Sequence, residues 1–240
     1  MKEGYPPKGI SFFLYVTIKQ NKGGIIVVII VQNLFVGLPK TVGKKDAKDP
    51  MEREWTSAIF KEPVDGPVWL SKTHLAGDGQ ADLKHHGGPE KAVFVYPSEH
   101  YDYWQKEMEM SEMKSGGMGE NFSTIHITEE SVSIGDTFRV GDAIVQVSQP
   151  RQPCWKPARR FKRKDLALLI QKSGKTGWYF RVLKEGYVKR GDVLERIDRP
   201  CPEWTIARCN HIMHVDKNNL EAAKQLAECK WLAPNWRETL

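Results

Sequence analysis

The chain has 240 residues, is 40% hydrophobic and 28% charged, and carries a formal net charge of +6. That length can bury a real core in one large or two smaller domains. Its four cysteines, Cys154, Cys201, Cys209 and Cys229, are too few and too irregularly spaced for a disulfide framework, and no C-x-x-C pair exists to hold zinc.

In chain order, residues 12–18 and 25–31 are apolar runs separated by Lys19-Gln20-Asn21-Lys22-Gly23-Gly24. Neither approaches the ~20 residues of a membrane span. No small-residue cleavage site follows, as a secretory signal would require. The two runs are expected to pair as a β-hairpin across the Lys-Gly-Gly turn. Residues 1–30 thus read as an atypical leader. A second expectation is that initiation falls near Val27 to Ile30, because Asn21-Lys22-Gly23-Gly24 can be encoded by a purine-rich stretch of ribosome-binding form. An intact mass including Met1, from the native host, would exclude it.

From Trp55 the pattern is mixed and mostly β. Residues 58–60 and 64–70 predict two short strands across a turn, 77–82 a loop, and 92–96 a β-branched and aromatic strand. Ser98 is a suitable N-cap for a helix in which Tyr101, Trp104 and Met108 recur at helical spacing. Residues 138–140 and 143–147 predict a hairpin across Gly141-Asp142, and 179–183 and 193–197 further strands. After Arg199-Pro200-Cys201-Pro202 the texture changes. Residues 205–213, 219–228 and 235 onward predict three short helices, with Pro202 and Pro234 as breakers. The class is mainly β with α. Helices this short must pack on the β body to be stable.

The charge is local. Residues 1–50 hold 8 basic and 3 acidic side chains, 51–150 hold 8 and 17, 151–200 hold 15 and 5, and 201–240 hold 5 and 5. The excess lies around and after Cys154, where it makes an anion-attracting field. A nucleic-acid footprint would interleave basic residues with exposed aromatics or a recognition helix, and neither is visible. In Gln149-Pro150-Arg151-Gln152-Pro153-Cys154 two prolines end a strand and hold the cysteine in a stiff loop. Arg151 and Lys156 flank it. Cations beside a thiol favour its thiolate, the form that ligates metals and attacks electrophiles.

Three other loops carry chemistry. Lys84-His85-His86-Gly87-Gly88-Pro89-Glu90-Lys91 offers imidazoles, a cation and glycines that let backbone approach an anion. Residues 116–124 form a second glycine-rich loop, and Gly177-Trp178-Tyr179-Phe180-Arg181 sets a guanidinium among aromatics. Two motifs fail. Gly174-Lys175-Thr176 is no P-loop, since Leu169 stands where the first glycine is required. His211 and His214 beside Cys209 lack further ligands at matching spacing and read as a helix surface.

Taken together, several segments resemble one family. They are Ile59-Phe60-Lys61-Glu62-Pro63-Val64-Asp65-Gly66-Pro67-Val68, Gly77-Asp78-Gly79-Gln80-Ala81-Asp82-Leu83, His86-Gly87-Gly88-Pro89-Glu90-Lys91-Ala92-Val93, Tyr96-Pro97-Ser98-Glu99-His100-Tyr101, Gly119-Glu120-Asn121-Phe122 and Ser148-Gln149-Pro150-Arg151-Gln152-Pro153-Cys154. In this order they look like the MOSC domain of the YiiM-like branch, which ends in a three-helix appendage. The resemblance begins near Asn33 and implies a β-barrel MOSC domain over 31–200 and a three-helix domain over 201–240.

It further implies a protein that binds the molybdenum cofactor, a pterin dithiolene with a phosphate, with Cys154 as metal ligand and catalytic residue. Thiolate is a soft donor suited to such a metal. Lys72, His86, Gly87, Gly88, Lys91, Asn121, Arg151 and Arg181 are the residues expected to hold pterin or phosphate. The implied activity is that of a cytoplasmic oxidoreductase reducing N-hydroxylated compounds, such as hydroxylaminopurines, to amines. No flavin or iron–sulfur motif is present, so an external electron-donor protein is expected, with neither nucleic acid nor membrane as partner. Two other readings stay open: a persulfide carrier for metal–sulfur cluster assembly through Cys154, and an anion-binding module without turnover. Charge reversal at Arg151 is expected to weaken cofactor retention more than at Arg163, which is placed on the solvated face of the following helix.

Overall fold

The computed structural model describes residues 19–21 and 24–240. Strand β1 (Lys19–Asn21) pairs antiparallel with β2 (Gly24–Ile26), Lys19 opposite Ile26. Residues 12–18 and the Lys22-Gly23 turn lie outside the described residues. The second apolar run does not stay in that hairpin. From Ile30 it becomes β3 (Ile30–Val36), whose Ile30 pairs with Ile125 and whose Val31, Leu34 and Phe35 are buried.

After β3 the chain forms a separate antiparallel hairpin, β4 (Lys40–Val42) with β5 (Trp55–Ser57), then short β6 (Glu62–Pro63) and β7 (Val68–Leu70). Residues 58–60, expected as a strand, form a loop instead. Ala58 and Ile59 are wall residues of the cavity described below, and Phe60 packs against Trp55. Helix α1 (Leu83–His86) is one turn, capped by Asp82, which accepts from the His85 N–H. Strand β8 (Val93–Pro97) is buried along its whole length, as a β-branched and aromatic run should be.

Helix α2 (His100–Lys106) starts one residue later than expected. Glu99, not Ser98, is its N-cap, and no side chain caps it. Strands β9 (Phe122–Ile125), β10 (Thr137–Val140) and β11 (Ala143–Pro150) follow, and β10 and β11 turn at Gly141 with φ +54°. Then come α3 (Trp155–Arg160), α4 (Leu166–Ser173), β12 (Trp178–Lys184), β13 (Gly186–Val188) and β14 (Glu195–Asp198). Gly174 closes α4 in the left-handed conformation, which gives the rejected Gly-Lys-Thr segment its purpose. Helices α5 (Ile206–His214), α6 (Leu220–Ala227) and α7 (Pro234–Arg237) end the chain. Thr205 and Asn219 cap the first two, and Pro234 opens the third from its first turn.

The main sheet is a curled half-barrel of eight strands in the order β14-β10-β11-β12-β8-β9-β3-β6. All its pairs are antiparallel except β8 with β9. One apolar core fills the curl and runs on into the helices, from Phe138, Phe180 and Trp178 to Ile206, Leu232 and Trp236. A second cluster, including Phe94, Tyr96 and Trp104, joins β8 and α2 to α4. Between these layers the ends of β8, β11 and β12 position the site. No helix among the described residues is long and apolar enough to cross a membrane.

Candidate functional site

Strand β11 ends at Pro150, opposite Trp178, because a proline cannot donate to a further ladder bond. The next residue, Arg151, anchors the loop by donating its backbone N–H to the Gly177 carbonyl at 3.1 Å. Cys154 follows in extended backbone at the start of α3, half-buried and with a free thiol. It lines a cavity of about 80 Å³ together with His86, Lys91, Asn121 and Arg151. The chain segments around 86–91 and 151–156, over sixty residues apart, therefore share one cleft.

Arg151 is only 4% exposed. Its guanidinium lies 5.1 Å from the Phe94 ring centroid, and its NH1 has no hydrogen-bond partner. A buried cationic donor left unpaired is costly, so an anionic or acceptor-rich ligand is its natural complement. Phe94 and Tyr179, with centroids 5.3 Å apart, form the aromatic wall beneath it. Burial pushes the Tyr179 hydroxyl up to about 12, so it remains a neutral donor.

Four cations line the cavity, Lys61, Lys91, Arg151 and Lys156, against one carboxylate, Asp78. Burial lowers Lys156, while the nearby Cys154 sulfur favours its charge. Burial, then Lys156 and Arg151, hold the His86 imidazole down to about 4. At neutral pH it is an uncharged acceptor or donor amid cations.

Asp78 is the knot of the opposite wall. It accepts from the Gly37 N–H at 2.9 Å, from Lys61, and from the Asn121 side chain at 2.9 Å. Asn121 also donates to the Phe35 carbonyl and accepts from the Phe94 N–H. Its amide is thus fully used in joining three segments, and it shapes the cavity without offering a free donor. Burial lowers Lys61, and Asp78 opposes that shift. Removing one member of such a buried pair costs about 3–5 kcal/mol. Gly119 seals this corner at φ +82°, where a Cβ would come within 2.8 Å of Ile59.

The remaining expected residues stand differently. Gly88 takes φ +89° with open space above it, and Gly87 packs against Gln80, itself a wall residue. Lys72 and Arg181 lie outside the cavity. The Lys72 ammonium donates to the Val182 and Leu183 carbonyls. Arg181 donates to the Trp231 carbonyl at 2.7 Å and pairs with Glu90, so it braces the helical domain. Arg163 is not on the helix after Cys154 but in the turn beyond it, bonded to Asp165 and the Met108 carbonyl. Sequence reasoning set Lys156 beside Cys154 and Tyr179 in an aromatic loop without assigning either to a cavity wall, and it missed Lys61, Asp78 and Phe94 as wall residues. Lys61 and Asp78 stood in the motif segments, but nothing in a sequence pairs side chains seventeen residues apart.

At the rim, Trp155 is 50% exposed and meets Trp55 edge-on at 5.3 Å. Arg159 stacks over both rings and donates to the Met51 and Arg53 carbonyls, while Lys162 pairs with Glu52 at 2.6 Å. These contacts hold the β4–β5 hairpin against α3. Away from the site, Cys209 faces the helical core and His211 is exposed, so they form no common metal face.

Comparisons with known proteins agree with this layout. The MOSC domain model matches residues 82–195, and the model of the YiiM-like 3-alpha helix domain matches 204–240. YflK of Bacillus subtilis is 41% identical over 206 residues, covering 86% of this chain and 93% of that one. The protein YiiM of Escherichia coli is 46% identical over 145 residues, 60% of this chain and 65% of its own. A protein of Gibberella moniliformis named reductase is 37% identical over 188 residues, 77% of this chain but 33% of its own length. The crystal structure of YiiM from Geobacillus stearothermophilus superposes with a TM-score of 0.72 at 37% identity, covering 88% of this chain and 96% of that one. The chain belongs to the MOSC-domain family, in the branch that carries a YiiM-like three-helix domain.

Proposed function

We propose that this protein is a molybdenum-cofactor-dependent oxidoreductase that reduces N-hydroxylated compounds of the hydroxylaminopurine type to amines, with electrons from a separate donor protein. The observation that carries this reading is the buried Arg151 guanidinium, unpartnered at NH1, in the same cavity as the Cys154 thiol. A soft ligand for the metal and an unsatisfied cationic donor for an anionic cofactor stand together. The donor set fits the group. The enclosed volume of about 80 Å³ is below the ~300–1,000 Å³ of sites that bury a whole ligand, so only part of the cofactor would be enclosed.

Cys154 would hold the metal, and Arg151, Lys91 and Lys156 would neutralise the pterin phosphate. His86, neutral at working pH, would hydrogen-bond without adding charge. The cofactor, when bound, supplies the two-electron couple that converts the N–O bond to N–H with loss of water. The aromatic wall of Phe94 and Tyr179 would orient a flat base and exclude water from it. The longer relative named reductase, two thirds of which lies beyond the matched part, supports a reductive role. We assign the leader to 1–30, the MOSC domain to 31–200 and the helical domain to 201–240, in a cytoplasmic protein.

The test is metal and pterin analysis of protein from a cofactor-competent host, with turnover of a hydroxylaminopurine and a reductase. Cys154→Ser should keep the fold but lose molybdenum and at least ~100-fold in turnover, since a hydroxyl is a poor soft ligand. Ser at Cys201, Cys209 or Cys229 should keep activity. Full turnover in Cys154→Ser, or a metal-free protein carrying persulfide at Cys154, would overturn the reading; the latter would establish a sulfur carrier.

A further inference from the structure

We propose that Cys201 and Cys229 form a site of oxidative modification, an intramolecular disulfide that closes the α5–α6 hairpin of the three-helix domain at its base on the sheet. Their sulfurs are 3.7 Å apart although the residues are 28 apart in sequence. Both are buried but not sealed, at 5% and 7% exposure, whereas Cys209 nearby is fully enclosed and its thiol faces the Trp204 carbonyl.

The backbone on each side is already fixed to the body. Before α5, Arg199 makes two bonds to the buried Asp136, the Ser133 hydroxyl donates to the Pro202 carbonyl, and the Ile134 N–H to that of Trp204. After α6, Arg181 donates to the Trp231 carbonyl, and the Ala233 N–H to that of Ser148. The bridge would close the α5–α6 hairpin into a ring whose two ends are held by the sheet. It demands little movement of either segment.

A peroxide is a sufficient oxidant. It takes two electrons from one thiol, giving a sulfenic acid and one water. The second thiol then attacks that sulfur, the S–S bond forms, and the hydroxyl leaves as a second water with the remaining proton. Burial and the neighbouring Cys229 thiol push Cys201 up to about 12, so the reaction is slow at neutral pH and faster in base.

The full chain, with Cys154 first blocked by a maleimide, would be treated with hydrogen peroxide and mapped under non-reducing conditions. The expected product is a Cys201–Cys229 linked peptide, lighter by two hydrogens, with a melting temperature raised by about 5–10 °C and restored by dithiothreitol. Cys201→Ser should abolish both changes and Cys209→Ala should keep both. A bridge to Cys209, or sulfinic acid without any bridge, would overturn the proposal. If Cys201→Ser fails to fold, the wild-type peptide map decides alone.

Discussion

Burial and the cations Lys156 and Arg151 hold the His86 imidazole neutral down to about pH 4, whereas in the unfolded chain it takes up a proton near 6.5. Between those values the unfolded state binds the extra proton, so stability is full above 6.5 and falls as the pH drops through about 4. His86→Asn should flatten the fall in melting temperature between pH 7 and 4. An unchanged slope would place the imidazole outside the positive cleft. Arg151 is the residue whose charge matters most for an anion. Arg151→Glu should lower pterin retention at least ~10-fold, or about 1.4 kcal/mol. Lys164→Glu, on an exposed side chain beyond α3, should change it less than ~2-fold. Equal losses in the two variants would mean that only the general field matters. The proline–cysteine loop and its flanking cations were legible in the sequence because they are contiguous. That Lys72 and Arg181 serve carbonyls elsewhere was not, since each of their partners is distant in sequence.

The β4–β5 hairpin is the element that tertiary contacts explain and local pattern does not. Its strands pair only with each other, and its far side rests on Arg159 and Lys162. The residues that follow it, Ser57, Ala58 and Ile59, are cavity wall. Loosening the hairpin should therefore expose Cys154. Arg159→Ala removes two carbonyl contacts and two stacking contacts, and is expected to speed modification of Cys154 by a thiol reagent by about 10-fold, as a locally opened state becomes ~1.4 kcal/mol more accessible. An unchanged rate, read by mass at Cys154, would show that the hairpin does not gate it. Strands such as β8 and the β10–β11 hairpin followed directly from β-branched runs and a Gly-Asp turn. Residues 58–60 are equally apolar yet form a loop, because Ala58 and Ile59 line the cavity and Phe60 packs against Trp55 and Arg160 instead of a sheet face.

The helical domain shares its core with the sheet. Ile206, Cys209, Leu226, Leu232 and Trp236 belong to the same cluster as Phe138 and Phe180. Cutting the chain after Pro200 would bare that apolar face. Residues 1–200 alone are expected to aggregate or melt without a cooperative transition, measured by calorimetry and light scattering. A soluble fragment with the melting temperature of the full chain would show that the sheet is self-sufficient.

By itself the sequence determined the β-rich body, the three short helices at the end and the loop that presents Cys154, because each rests on short-range periodicity or on proline and glycine geometry. The ordered motifs also pointed to the family. Only the tertiary structure decided which polar groups face the cavity and which are spent on structure. Asn121 and Asp78 are consumed in a network across three segments, Arg151 keeps a free donor, and Cys201 meets Cys229. Such assignments depend on partners brought together from far apart in the chain, and on burial, which sets the cost of leaving each group unpaired.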